Sequence, residues 1–297
     1  MRYLLSDVIP PSPTMAKDTF FHKNLTLNLR GKLIDLTRPK AMGIINITPD
    51  SFYAGSRHQN VDDAIAQAGK MLADGADMLD IGAYSSRPGA TDISVQEETD
   101  RLLPVIEAIT KVYPDAVLSV DTFRASVAES TINAGAHIIN DISGGALDPD
   151  MFATVAKLQV PYILMHMKGT PQNMVQQAHY ADVVTEVYDH FKERCQKLQA
   201  LGVKDIIIDP GFGFAKTHEQ SYELLRRLHD FSTLGFPLLV GISRKRMIYQ
   251  LTGGTAADAL NGTTVLSTIA LTKGANILRV HDVKEAIETV QLWERCG

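Results

Sequence analysis

This sequence predicts a single (β/α)8 barrel, on three observations. Eight short, predominantly apolar runs without strict alternation recur along the chain: Met42–Ile45, Met78–Ile81, Ala116–Val120, Ile138–Ile142, Tyr162–Met165, Ile206–Ile208, Pro237–Ile242 and Ile277–Val280. Segments with helical periodicity separate them. Every run has a polar or ionisable residue close to its C-terminal end. Continuous apolarity is what strands buried on both faces require. Strands alternating with helices make a parallel sheet with the helices outside it. An open doubly wound sheet is the structural alternative.

The elements follow in order. Residues 1 to about 25 hold Pro10, Pro11 and Pro13 in a setting without periodicity, which predicts an irregular N-terminal extension. Leu25 to Leu29 and Lys32 to Leu36 carry alternating apolar residues on either side of Arg30-Gly31. That pattern predicts a β-hairpin closing the bottom of the barrel. The domain reading is therefore 1–38 for extension and hairpin and 39–297 for the barrel. Helices are expected at Val61–Asp74, Ser94–Val112, Arg124–Asn133, Tyr180–Leu201 and Asp258–Lys273, with Asp62, Ser94 and Asp258 as cap candidates. Three of them run into Gly75, Gly135 and Gly274, where a left-handed turn can stop a helix before the next strand.

The chain has 297 residues, 45% hydrophobic and 21% charged, the composition of an ordinary soluble globular protein. Its 29 basic against 34 acidic residues give a formal net charge of -5, which argues against a nucleic-acid partner. A phosphate-bearing ligand needs only local positive charge and stays open. No apolar stretch approaches the roughly 18 residues of a membrane span. The opening residues lack the apolar core of a secretory signal. The expectation is a cytoplasmic protein with no membrane partner. Cys195 and Cys296 have no metal-type spacing and are expected as free thiols in a reducing compartment.

The strand ends carry the functional information. In order they present Asn46, Asp80, Asp121, Asn140 with Asp141, His166, Asp209, Ser243-Arg244-Lys245, and Arg279 with His281. One strand-ending Asp is commonly a turn former. Eight polar ends on one rim would be costly to bury without a ligand, and barrel active sites lie at that rim. Lys245, Arg279 and His281 follow the last two strands, where barrels commonly hold phosphate. Asp121, Asn140 and Asp209 are rich in acceptors, and Asn140 adds amide donors. A carboxylate can take two parallel hydrogen bonds from an amino-pyrimidinone edge, as it does from guanidinium. The rim thus reads as a clamp for a flat nitrogen heterocycle beside a clamp for an anion. His166 is left open between a satisfied wall histidine and a ligand contact. Gly211-Phe212-Gly213 lacks phosphate-loop spacing and reads as a turn that brings Phe214 to the site.

The motifs at these ends run Met42 to Phe52, Asp80-Ile81-Gly82, Ser85 to Ala90, Ser119 to Thr122, Ile139 to Gly145, Met165-His166-Met167, Asp209 to Thr217, Ser243 to Arg246 and Arg279 to Val283. As an ordered set they resemble the dihydropteroate synthases of folate biosynthesis, from about residue 38 to the end. The resemblance implies a transferase. It would condense 6-hydroxymethyl-7,8-dihydropterin diphosphate with 4-aminobenzoate, giving 7,8-dihydropteroate and diphosphate, with Mg2+ as cofactor and a homodimer as the assembly. It implies pterin binding by Asp121, Asn140, Asp209 and Lys245. It implies diphosphate binding by Asn46, Arg87, Arg279 and His281, with Asn46 touching the metal. The aminobenzoate pocket would comprise Ser86, Pro88, Phe214 and Lys245. Catalytic duty falls to Asp121, Lys245, Arg279 and His281. Diphosphate departure builds negative charge, which Mg2+, Arg279 and the His281 imidazole would neutralise. The electron-poor methylene left behind implies a dissociative, carbocation-like path in which Asp121 and Asp209 stabilise the ring. The helices before the C-terminus, such as Ala256–Leu271, are candidates for the dimer contact.

Two loops depart from the family pattern. Ala83-Tyr84-Ser85-Ser86 stands where the family has Gly, Glu, Ser and Thr, so a hydroxyl is kept and a glutamate lost. Tyr53 and Ala54 replace Ser and Asp in the Thr48–Gly55 loop, which shifts anion binding toward Asn46, Arg279 and His281. Two other functions stay open: a pterin-binding module passing a methyl group to a corrinoid protein, and a non-catalytic pterin-binding barrel. The cationic end favours the synthase.

Overall fold

The computed structural model describes residues 25–29, 31–47, 57–85 and 92–296. The N-terminal extension, the Thr48–Gly55 loop with Tyr53 and Ala54, and Ser86, Arg87 and Pro88 lie outside the described residues.

The hairpin forms from β1 (Thr26–Leu29) and β2 (Lys32–Asp35), paired antiparallel. The eight apolar runs become β3 (Lys40–Asn46), β4 (Met78–Gly82), β5 (Leu118–Asp121), β6 (Ile138–Asp141), β7 (Tyr162–Met165), β8 (Ile206–Asp209), β9 (Leu239–Val240) and β10 (Ile277–Val280). Helices intervene: α1 (Arg57–Ala73), α2 (Val95–Val112), α3 (Ala125–Asn133), α4 (Met151–Leu158), α5 (Val183–Ala200), α6 (His218–Arg226), α7 (Arg246–Thr252), α8 (Leu260–Thr272) and α9 (Val283–Cys296). The parallel strands run in the order β8-β7-β6-β5-β4-β3-β10-β9. A parallel bridge between Ile208 and Leu238 joins the two ends and decides for the barrel over an open sheet.

The period of two along each strand sorts side chains into layers. Outward residues such as Leu79, Ile81, Val120, Ile139, Leu164 and Ile208 pack on helix residues including Leu102, Ile106, Val187, Phe191 and Leu224. Inward residues at the strand starts, Met42, Met78, Val117, Ile138, Ile163, Ile207, Leu239 and Ile277, form a separate core with Leu27, Leu29 and Leu36. The hairpin therefore closes the bottom, each fully buried Leu contributing about 1.5–3 kcal/mol. Two residues further along the strands, the inward set includes Asp80, Ser119, Asn140, Asp209 and Arg279. The interior changes from hydrocarbon to ionic within one strand period.

Helix ends follow local chemistry. Ser94 caps α2, its Oγ accepting from the Glu97 N–H at 3.1 Å. Gly75, Gly135 and Gly274 all take positive φ, as their stop role requires. Two cap expectations are corrected. Asp62 lies inside α1, which starts five residues earlier because its first turn has no apolar residue to announce it. Asp258 is not the first cap of α8. Its Oδ2 accepts from the Thr255 N–H at 2.9 Å in a capping box on a 3-10 turn (Ala256–Ala259), and α8 begins after it. Likewise Asp182, not Tyr180, opens α5, accepting from the Thr185 N–H at 2.7 Å. Cys195 is buried on α5, and Cys296 is exposed; both are free thiols.

Candidate active site

The mouth is built from strand ends, so each polar group inherits its aim from the pleat. Register places Asn46 beside Gly82 and Gly82 beside Asp121, spreading β3, β4 and β5 across one level of the rim. Asp209 and Arg279 flank Gly241: a Cβ added there would lie 4.0 Å from Asp209 Oδ2 and 3.9 Å from Arg279 Cβ. The two side chains therefore share one cavity.

Arg279 is the electrostatic centre. Its Nε donates to Asp80 Oδ2 at 2.6 Å and its Nη2 to Asp121 Oδ2 at 3.0 Å. Asn140 Nδ2 donates to the same Asp80 oxygen at 2.9 Å. Burial raises the Asp121 pKa to about 7 against the opposing pull of Arg279, with Asp80, Glu98 and Asp141 adding to the rise. Burial also raises Asp209, opposed by Lys245 and by the Gly211 N–H, which donates to Asp209 Oδ1 at 2.8 Å. Arg279 is held more firmly charged, because Asp80 and Asp121 outweigh its burial.

Lys245 precedes α7 and reaches back over the rim. Its ammonium donates to the Phe212 carbonyl and stands 4.6 Å from the centroid of the Phe214 ring. Burial lowers its pKa to about 8, although Asp209 pulls the other way. The neighbouring arginine does something else. Arg244, at positive φ, pairs with Asp282 through Nε at 2.8 Å and Nη2 at 2.9 Å, and donates to the Ala256 and Ala257 carbonyls. The basic run thus divides, with Lys245 turned to the mouth and Arg244 tied into the wall.

His281 stands at the rim with Nδ1 3.0 Å from the Ser243 hydroxyl, which also accepts from the His281 backbone N–H at 3.1 Å. Desolvation at the crowded mouth, reinforced by the Arg279 charge, lowers its pKa to about 4. The imidazole is neutral at pH 7. It offers a hydrogen bond, not the positive charge expected of it.

His166 resolves as a wall residue. It is buried, and its Nδ1 lies 2.9 Å from Lys216 Nζ. Lys216 is buried too, donating to the carbonyls of His166, Gly211 and Phe214 at 3.2, 3.0 and 3.0 Å. Burial lowers both pKa values, and each charge would disfavour the other. This lysine ties the loop carrying Phe214 to the end of β7. Gly211 is required in that loop: it sits at φ +69°, and a Cβ would come within 2.2 Å of the His166 carbonyl.

Of the residues expected at the site, Asn46, Asp121, Asn140, Asp209, Phe214, Lys245, Arg279 and His281 are described, all at or just beyond the mouth ends of their strands. Ser86, Arg87 and Pro88 are not described. Sequence reasoning left Asp80, Ser243 and Lys216 unassigned. Asp80 was visible as a strand end, whereas nothing in the pattern marks Lys216 as buried. Tyr84, standing where the family has glutamate, packs edge-on against Phe123 with centroids 4.9 Å apart, and Arg124 lies 5.4 Å from its ring centroid.

Known proteins share this arrangement. The family model described as pterin binding enzyme matches residues 42–281. Dihydropteroate synthase of Escherichia coli K12 is 41% identical over 272 residues, covering 91% of this chain and 96% of that one. The crystal structure of the Yersinia pestis dihydropteroate synthase with a sulfonamide drug complex superposes with a TM-score of 0.86 at 42% identity, covering 91% of this chain and 98% of the other. The Xanthomonas albilineans enzyme with 4-aminobenzoic acid superposes with a TM-score of 0.85 at 40% identity, covering 92% and 98%. With barrel, rim and similarity in agreement, the chain belongs to the pterin binding enzymes and, among them, to the dihydropteroate synthase family.

Proposed function

We propose that this chain condenses 6-hydroxymethyl-7,8-dihydropterin diphosphate with 4-aminobenzoate, forming 7,8-dihydropteroate and diphosphate in folate biosynthesis. The carrying observation is that Asp121, Asn140, Asp209 and Lys245 share one barrel mouth with Arg279 in a chain of this family. The acceptors Asp121, Asn140 and Asp209 and the donor Lys245 hold the bicyclic ring. Arg279, Asn46, Arg87 and a neutral His281 hold the diphosphate. Phe214 and Lys245, with Ser86 and Pro88, receive the aminobenzoate. Lys245 joins the two pockets, since its ammonium already stands over the Phe214 ring.

Charge stabilisation and positioning carry the chemistry. Arg279 draws on the tail as the C–O bond lengthens, and the ring gains positive charge. As the tail claims Arg279, the guanidinium's hold on Asp121 loosens, leaving that carboxylate to the cationic ring. The aniline nitrogen then attacks the methylene, and its proton passes to solvent or to released diphosphate. No strong base is needed, because the aniline is a weak base and an adequate nucleophile.

Among the described residues no three His, Cys, Asp or Glu side chains are grouped to hold a metal. The rim instead offers the hard amide oxygen of Asn46, which fits Mg2+, an ion held by few protein oxygens together with substrate phosphates and water. Bound there, Mg2+ would supply neutralising charge to the diphosphate. Val265 and Ile269 on α8 are exposed, as is Leu292 on α9, and these faces suit a homodimer contact. No helix among the described residues is long and apolar enough to cross a membrane, in keeping with a cytoplasmic enzyme.

The test is diphosphate release with 4-aminobenzoate supplied and withheld, with the pteroate product weighed by mass spectrometry. Release only in the presence of the arylamine is the expected result. Pterin binding without release would return the protein to a binding role.

A further inference from the structure

Asp80 is a fully buried carboxyl group at the mouth, on β4. One of its oxygens, Oδ2, accepts from both Arg279 Nε at 2.6 Å and Asn140 Nδ2 at 2.9 Å. The first partner belongs to the anion half of the site and the second to the ring half. We propose that Asp80 is a positioning residue that couples the two halves, fixing the polarity of the Asn140 amide together with the orientation of the Arg279 fork. This inference rests on the dihydropteroate synthase reading above.

A carboxylate oxygen only accepts, so only the nitrogen end of the Asn140 amide can face Asp80. The amide oxygen is thereby turned away from Asp80, and one N–H remains. Donor and acceptor then stand side by side in a fixed plane. That pair matches a ring edge carrying an amino group next to an unprotonated nitrogen, as in a 2-aminopyrimidine. A reversed amide would reject it. Arg279 has five N–H groups; Asp80 holds the one on Nε, so the fork stays pinned at its base while an arriving anion draws Nη2 away from Asp121. Packing alone does not explain the residue. Asp80 Oδ1 is buried with no hydrogen-bond partner among the described residues, a costly state for a carboxylate.

Asp80→Asn in the full-length protein keeps the shape and removes the acceptor-only character. Calorimetry with two probes reads the coupling: a 6-hydroxymethylpterin lacking the diphosphate, and inorganic diphosphate with magnesium. Both affinities are expected to fall by about tenfold or more. Ser119→Ala controls for packing, because Ser119 neighbours Asp80 in register and its hydroxyl has no hydrogen-bond partner among the described residues; its affinities should stay within about twofold. A second readout is the pH profile of kcat/KM. Asp121 faces Arg279, Asp80, Glu98 and Asp141, and Asp80 is among the groups raising it. Asp80→Asn should therefore move the acid limb to lower pH, which a packing defect would not do.

Loss of one probe only, loss of neither, or an unmoved acid limb would each overturn the coupling. Should Asp80→Asn fail to fold by circular dichroism, Asp80→Ser takes its place. The unaltered protein supplies a third measure: saturating pterin should tighten diphosphate binding by about threefold or more, and no change would sink the idea. If the unaltered protein binds both probes but makes no pteroate, the functional reading fails while the binding arms still judge Asp80.

Discussion

The two ends of this barrel are built from the same eight strands and obey opposite rules. At the bottom, Met42, Met78, Ile138, Ile163, Ile207 and Ile277 meet the hairpin leucines in a closed hydrocarbon layer. One strand period higher, Asp80, Asn140 and Arg279 form a polar and ionic network that leaves Asp80 Oδ1 without a hydrogen-bond partner among the described residues. Burial stabilises the first layer and strains the second. The lesson is a division of labour: the apolar end holds the strands in register, so the polar end can shift the proton affinities of its groups away from their values in water. Asp121 raised to about 7 and Lys245 lowered to about 8 are the measurable signs.

Substitutions sharpen that contrast, beginning with the greatest effect. Arg279→Ala should lower kcat/KM by about a thousandfold or more, since it removes the cation facing the developing anion. It also strands Asp80 and Asp121 together, costing about 3 kcal/mol of stability by denaturant titration. A variant of near-normal activity would mean that the ionic layer is structural.

Asp121→Ala should reduce turnover by about a hundredfold while moving pterin diphosphate affinity much less. Comparable losses in both quantities would argue against a role in the transition state. Lys245 loses its charge above about pH 8 and Asp121 loses its own below about 7, so kcat/KM should peak between the two, with an acid-side break near 7. Asp121→Asn should abolish that break.

At the opposite end, Leu36→Ala should cost about 2–5 kcal/mol in denaturant unfolding. Leu36 is fully buried under the barrel, far from the rim. KM values for both substrates should be unchanged in the folded fraction. A shifted KM would show that the two ends are not independent. The smallest effect is expected from Ser94→Ala, which removes the α2 cap and should lower stability by about 1 kcal/mol with no kinetic change.

Much of this was legible before folding. Continuous apolar runs marked all eight barrel strands, because burial on both faces leaves no polar alternation to hide them. Helix starts were less legible. Asp62 and Asp258 look like caps by residue type, yet a cap is a backbone geometry, and the residues that open α1 and the Thr255 turn carry no hydrophobic signal. The methyltransferase alternative turned on whether a cationic end exists, which composition alone leaves open.

Linear pattern determined the fold class, the rim and its acceptor-rich chemistry, since strand period and residue type are local properties of the chain. Tertiary structure alone decided which groups share a proton or a partner. It joined Asp80, Asn140 and Arg279 across 199 residues of sequence, sent Arg244 to the wall beside a mouth-facing Lys245, made His281 neutral, and buried Lys216 against His166. Such pairings depend on distance and desolvation through space, which strands brought together from distant parts of a chain create only once the barrel has closed.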